Sequence, residues 1–147
     1  MYKNILCPVD GSAHSLRAAQ AACELAGQSG GTLTLLTVTK PFKVSQKARE
    51  YLERESLLGE ATYIVAPMTE QVMDEAKKCA KEAGLSKVKA EVREGHPARK
   101  IVEYAELKKC DAIVMGSRGR GDVEATLLGS VAHKVASLAP CTVILVK

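Results

Sequence analysis

The residues best suited to chemistry are Gly116-Ser117-Arg118-Gly119-Arg120-Gly121-Asp122, followed by Leu128-Gly129-Ser130-Val131. The first run follows a short apolar segment, and the second opens a stretch of helical composition. Glycines let a loop adopt positive φ and bring its backbone close to a ligand. The unpaired N–H groups and positive dipole end of a helix favour a phosphate. Ser130 adds a hydroxyl donor, and Arg118 or Arg120 adds positive charge. Together these groups suit a nucleotide polyphosphate. Two familiar phosphate motifs fail here. No Gly-x4-Gly-Lys-Ser/Thr run occurs, and the dinucleotide fingerprint needs a glycine where Glu124 stands. Counted as glycines alone, the run reads equally as a flexible strand-to-helix loop.

The other reactive types are dispersed. Asp10, in Val9-Asp10-Gly11-Ser12, either ligates Mg2+ or Mn2+ beside a phosphate or caps the turn it opens. His14, His96 and His133 lack metal-ligand spacing. His96, before Pro97, reads as a turn residue, and His133 as an exposed helix residue. The five cysteines, Cys7, Cys23, Cys79, Cys110 and Cys141, are odd in number and form no Cys-x-x-Cys pair. That argues against a disulfide framework or zinc ribbon and for reduced thiols in a cytoplasmic protein. Tyr104 reads as a packing residue. Lys77-Lys78 and Lys108-Lys109 read as solvated helix faces. Arg120-Gly121-Asp122 spells an adhesion tripeptide, which in a cytoplasmic protein is chance.

Positioning the glycine loop requires alternating strands and helices. Residues 3 to 9 form a short apolar run ended by turn residues, and Ser12 can cap a helix from Ala13. The alanine-rich stretch 16 to 25 is helical in spacing and stops at Gly27 to Gly31. Thr32 to Val38 is β-branched and apolar, a second strand. Residues 43 to 58 mix charges with Ala48, Tyr51, Leu52 and Leu57 and read as a solvated helix. Pro67 opens the next helix, which runs to Gly84. Lys87 to Glu94 alternates apolar and charged residues, as a strand near an edge does. A helix over 98 to 107, a buried strand over 111 to 116, a helix over 130 to 138 and a strand over 141 to 146 complete the chain. The alternation predicts α/β architecture: an open parallel sheet of five strands with helices on both faces.

The chain has 147 residues, a size for one domain covering 1–147. Its 21 Lys and Arg against 17 Asp and Glu give a net charge of +4, too mild for a dedicated nucleic-acid binder. No apolar run is long enough for a membrane span, and the N-terminal run is too short for a secretory signal. With no Trp, one Phe and four Tyr, the core must be aliphatic, and a base-stacking aromatic platform is nearly excluded.

The spacing Gly116-x2-Gly119, then residues 120 to 128, then Gly129-Ser130 resembles the nucleotide-binding signature of the universal stress protein family. Val9-Asp10-Gly11-Ser12, Gly95-His96-Pro97-Ala98 with Ile101-Val102-Glu103-Tyr104-Ala105, and Ala139-Pro140-Cys141 are similar to that family's other motifs. The resemblance covers nearly the whole chain and is weakest over 40 to 67. It implies a Rossmann-like sheet of order 3-2-1-4-5 and a homodimer that binds ATP with Mg2+ or Mn2+. It implies that Val38 holds the adenine through backbone contacts and that Asp10, with Pro8 and Val9, faces the nucleoside. Met115 and Gly116 would line the ribose side. Arg118, Gly119, Gly129, Ser130 and Val131 would hold the phosphates. The family commonly has Cys-Pro-Val in the last strand. Here Cys141-Thr142-Val143 restores an N–H, which bears on pairing at that edge.

The function that follows is a regulatory, cytoplasmic, ATP-binding homodimer of the stress response, read by an unidentified protein partner, with no nucleic acid or membrane as partner. No convincing general base stands near the glycine loop in sequence, so efficient ATP hydrolysis is not expected. The alternative is a weak ATPase or an adenylyl-transferring enzyme of the nucleotide-binding α/β group, with Ser130 or a nearby hydroxyl as acceptor in any autophosphorylation.

Overall fold

A computed structural model describes residues 1–39, 47, 50, 58–119 and 128–147. Most of the expected solvated helix over 43–58, and Arg120 with the rest of the glycine loop to residue 127, lie outside the described residues. The elements are β1 (Asn4–Pro8), α1 (Ala13–Ser29), β2 (Thr32–Thr39), α2 (Leu58–Glu82), β3 (Val88–Glu94), α3 (Pro97–Leu107), β4 (Ala112–Gly116), α4 (Ser130–Leu138) and β5 (Thr142–Val146).

The strands form one five-stranded parallel sheet in the order β3-β2-β1-β4-β5. The helices bury two aliphatic layers. On one face, α1 and α2 cover Ile5, Cys7, Leu33, Leu35 and Val114. On the other, α3 and α4 cover Leu6, Leu36, Ile113 and Met115. The alternate residues of β1 and β2 thus feed opposite layers, as the two-residue strand period requires. Both layers are built from aliphatics, alanines and thiols, with Tyr104 the one buried aromatic among the described residues.

Local signals set most boundaries. Ser12 caps α1, its Oγ accepting from the Ser15 N–H at 3.2 Å. The helix runs through Gly27 and ends at Gly30, within the expected stop over Gly27 to Gly31, and the φ of 64° at Gly30 suits a glycine. Gly27 has no left-handed φ to end the helix, and the capping bond is made by the Gly31 N–H to the Ala26 carbonyl at 3.1 Å. Pro67 does not open α2, which begins at Leu58 and carries the proline in its interior. An internal proline removes one helical hydrogen bond. The burial of Val72, Met73, Ala76 and Ala80 anchors the C-terminal half regardless.

β1 and β4 lie side by side at the centre, and the chain leaves them toward opposite faces, β1 into α1 and β4 toward α4. A crevice opens above their carboxyl ends, where open α/β sheets take ligands.

Candidate functional site

One cleft at those strand ends is lined by Pro8, Val9, Asp10, Val38, Met115, Gly116, Arg118, Gly119 and Val131, all expected from the sequence. Gly129 and Ser130 do not line it, although they start the helix that does. The cleft also gains Ser15, Leu36, Pro97, Ile101 and Ala132. Pro97 and Ile101 come from α3, whose N-terminus follows β3 at the same end of the sheet. That placement was readable from the strand–helix order, but no motif marked those side chains as lining.

Asp10 makes an Asx turn: its Oδ1 accepts from the Ser12 N–H at 2.9 Å. Its own N–H donates to Ser15 Oγ at 3.3 Å, and Ser15 Oγ donates to the Ser12 carbonyl at 3.0 Å. The capping role is therefore realised, and the exposed carboxylate still borders the cleft. No group of three or more potential metal ligands occurs among the described residues. A cation here would need ligands beyond the chain, as Mg2+ commonly takes from phosphates and waters.

Gly116 has a packing reason as well as a place in the cleft. A Cβ there would lie 2.9 Å from the His14 carbonyl carbon and 3.0 Å from the Ser15 nitrogen. Only glycine lets the end of β4 sit against the first turn of α1. Beside it, Ser117 Oγ lies 3.4 Å from His14 Nδ1, and the Ser117 N–H donates to the Val146 carbonyl at 2.7 Å. His14, read from sequence as a scattered histidine, thus stands at the root of the glycine loop.

The peptide group of Val38 follows from hydrogen-bond alternation along β2. Thr32 donates to Lys3, and Leu36 accepts from Val9, both toward β1. Leu33 donates to Lys87, and Thr39 accepts from Gly95, both toward β3. Even-numbered peptide groups therefore face β1. At Val38 that strand has already ended, since the β1–β2 register closes at Pro8 and Leu36. Val38 itself lines the cleft, and its peptide group, on the β1 side of the strand, has no partner among the described residues.

Gly129 is the N-cap of α4, with an extended φ of −65° and ψ of 157°. Its own N–H is spent on the Ser117 carbonyl at 2.7 Å, which pins α4 to the end of β4. The first-turn donors that no helical carbonyl can reach are then the N–H groups of Ser130, Val131 and Ala132. No acidic residue sits in that first turn to offset its positive end. Arg118 is half-buried on the cleft and forms no ion pair with a described residue.

The thiols lie apart from this chemistry. Burial pushes Cys23 and Cys110 up to about 11 and raises Cys7 further still. They remain protonated and packed, as small hydrophobes. No helix among the described residues is long and apolar enough to cross a membrane.

The Universal stress protein family model matches residues 1–147. The chain belongs to the universal stress protein family. Universal stress protein MJ0531 of Methanocaldococcus jannaschii is 39% identical over 100% of this chain and 83% of its own length. Among solved structures, the hypothetical protein MJ0577 superposes with a TM-score of 0.80 at 30% identity, covering 100% of this chain and 96% of that one. A universal stress protein in complex with cAMP superposes with a TM-score of 0.74 at 30% identity, over 99% of this chain and 97% of that one. The family's Rossmann-like fold and the strand order implied by the resemblance are thus both present here.

Proposed function

We propose that this universal stress protein binds ATP in the cleft, with Mg2+ or Mn2+, and acts as a regulatory homodimer in the cytoplasmic stress response. The observation that carries the reading is the peptide group of Val38, unpaired among the described residues, at the rim of an aliphatic cleft. Its carbonyl suits the N6 amino group of adenine, and its N–H suits N1. Guanine presents the opposite donors and acceptors at those positions. Leu36, Ile101 and Met115 supply flat apolar walls in place of aromatic stacking. The cAMP complex of a relative at 30% identity supports an adenine nucleotide as the ligand class.

The polyphosphate would run toward the first turn of α4, with Arg118 as counter-charge. Asp10 would give the metal one carboxylate oxygen, with phosphates and water completing the shell. The γ-phosphate at α4 is the contact that distinguishes ATP from shorter nucleotides, so occupancy can bias one conformation over another for a protein partner to read.

Titration calorimetry on nucleotide-free protein tests this. ATP should bind saturably, and GTP at least about tenfold more weakly, the size of one mispaired hydrogen bond. No heat and no thermal shift at millimolar ATP would sink the reading.

A further inference from the structure

β3 is an edge strand, and its outward peptide groups are identifiable. The Lys87 carbonyl accepts from Leu33, and the Gly95 N–H donates to Thr39, so odd-numbered peptide groups face β2. The N–H and carbonyl groups of Val88, Ala90 and Val92 therefore point away from the sheet. Beside this edge lies a groove with an apolar floor of Ala80, Leu85 and Val88. Lys77 and Lys81, one helical turn apart on α2, and Lys89 on β3 border it. None of the three is ion-paired with a described residue.

We infer that the open edge of β3 takes an extended acidic peptide as an added strand, selected by these lysines. Lysines on an edge ordinarily repel a neighbouring copy of the chain. The same charges favour a partner of opposite sign. A row of open peptide groups matches another peptide backbone, which a nucleic acid cannot supply. The inference does not depend on nucleotide binding, so its test is run without nucleotide.

The probe is a capped eight-residue peptide of alternating Glu and Thr, compared with its Lys and Thr counterpart. The acidic peptide should bind saturably and more weakly as salt rises. Amide shifts should centre on Val88, Ala90 and Val92. Ala90→Pro removes an outward N–H without touching the β2 ladder, so it should abolish binding in a chain that folds with unchanged circular dichroism. Lys81→Glu with Lys89→Glu should weaken the acidic peptide about tenfold and favour the basic one, and this pair decides the matter should Ala90→Pro not fold. Equal binding of both peptides, or no binding, overturns the inference. So do undiminished binding by a folded Ala90→Pro, self-association through β3, and uptake of poly(U) RNA with the peptide refused.

Discussion

Gly116 shows how one position serves both fold and site. Its place in the glycine run was legible, because the run has a fixed spacing to Gly129-Ser130. Its packing role was not, since nothing in sequence places His14 against residue 116. The neighbouring atoms are α1 backbone and the Cβ of His14 rather than the end of a flexible side chain, so they cannot yield cheaply. Gly116→Ala should cost about 1–3 kcal/mol of stability, read as a lower urea midpoint with an unchanged m-value. An unchanged midpoint would show that α1 can shift freely. Gly129 offers the complementary case. Its φ of −65° is open to any residue, and aspartate is a favoured N-cap. The carboxylate of Gly129→Asp would bond the same first-turn N–H groups that a phosphate needs and would repel the phosphate. The variant should therefore fold with at least wild-type thermal stability and lose ATP affinity by about a hundredfold or more, a few kcal/mol of charge-assisted hydrogen bonding. Undiminished affinity would reject the α4 phosphate site. Val38 was reached only through the family resemblance. What supports the proposed role physically is an alternation of hydrogen bonds, which a sequence does not display.

Elements were legible where periodicity and end signals agreed. Every strand and three of the helices follow from apolar runs, glycine stops and Ser12. The start of α2 lies earlier than expected, because proline is a strong start signal and the helix carries Pro67 in its interior. The paired apolar layers have a further consequence through their thiols. Burial raises Cys23 from an ordinary 9.0 to about 11, and Cys110 likewise. A thiol with a folded value above its unfolded one keeps its proton longer when folded. Between about 9 and 11 the folded chain holds more protons, so stability falls as pH rises through that window. The urea midpoint should be flat from neutral pH to about 8.5 and decline by about pH 10. Cys23→Ala should be less stable at neutral pH yet decline less steeply. Equal slopes for variant and parent would assign the alkaline loss to other groups.

At the scale of the whole molecule, the two sheet edges are unlike each other, and this difference carries the assembly proposed above. Strand order came from the resemblance, because alternation alone does not say which strands end outermost. With the order known, β3 is an edge that mixes lysine, glutamate and arginine, and β5 is an edge of Val143, Ile144, Leu145 and Val146, each only partly buried. An open aliphatic edge invites pairing between copies of the chain, and a charged one resists it. Val146 accepts from Ser117, so even-numbered peptide groups of β5 face β4. The N–H that Thr142 restores therefore lies on the β4 side, and the open edge consists of the peptide groups of Val143 and Leu145. A homodimer should form there, edge to edge, with the cleft left open on the far side of β4. Sedimentation equilibrium should give twice the chain mass. Amide exchange should be slow at Val143 and Leu145, and fast at Val88, Ala90 and Val92 without an added peptide. Val143→Pro removes one of the outward donors while sparing the ladder to β4, so it should shift the chain toward monomer with ATP affinity retained. A Val143→Pro protein that stays dimeric would place the contact on another surface, and a monomeric parent would remove the dimer from the proposed function.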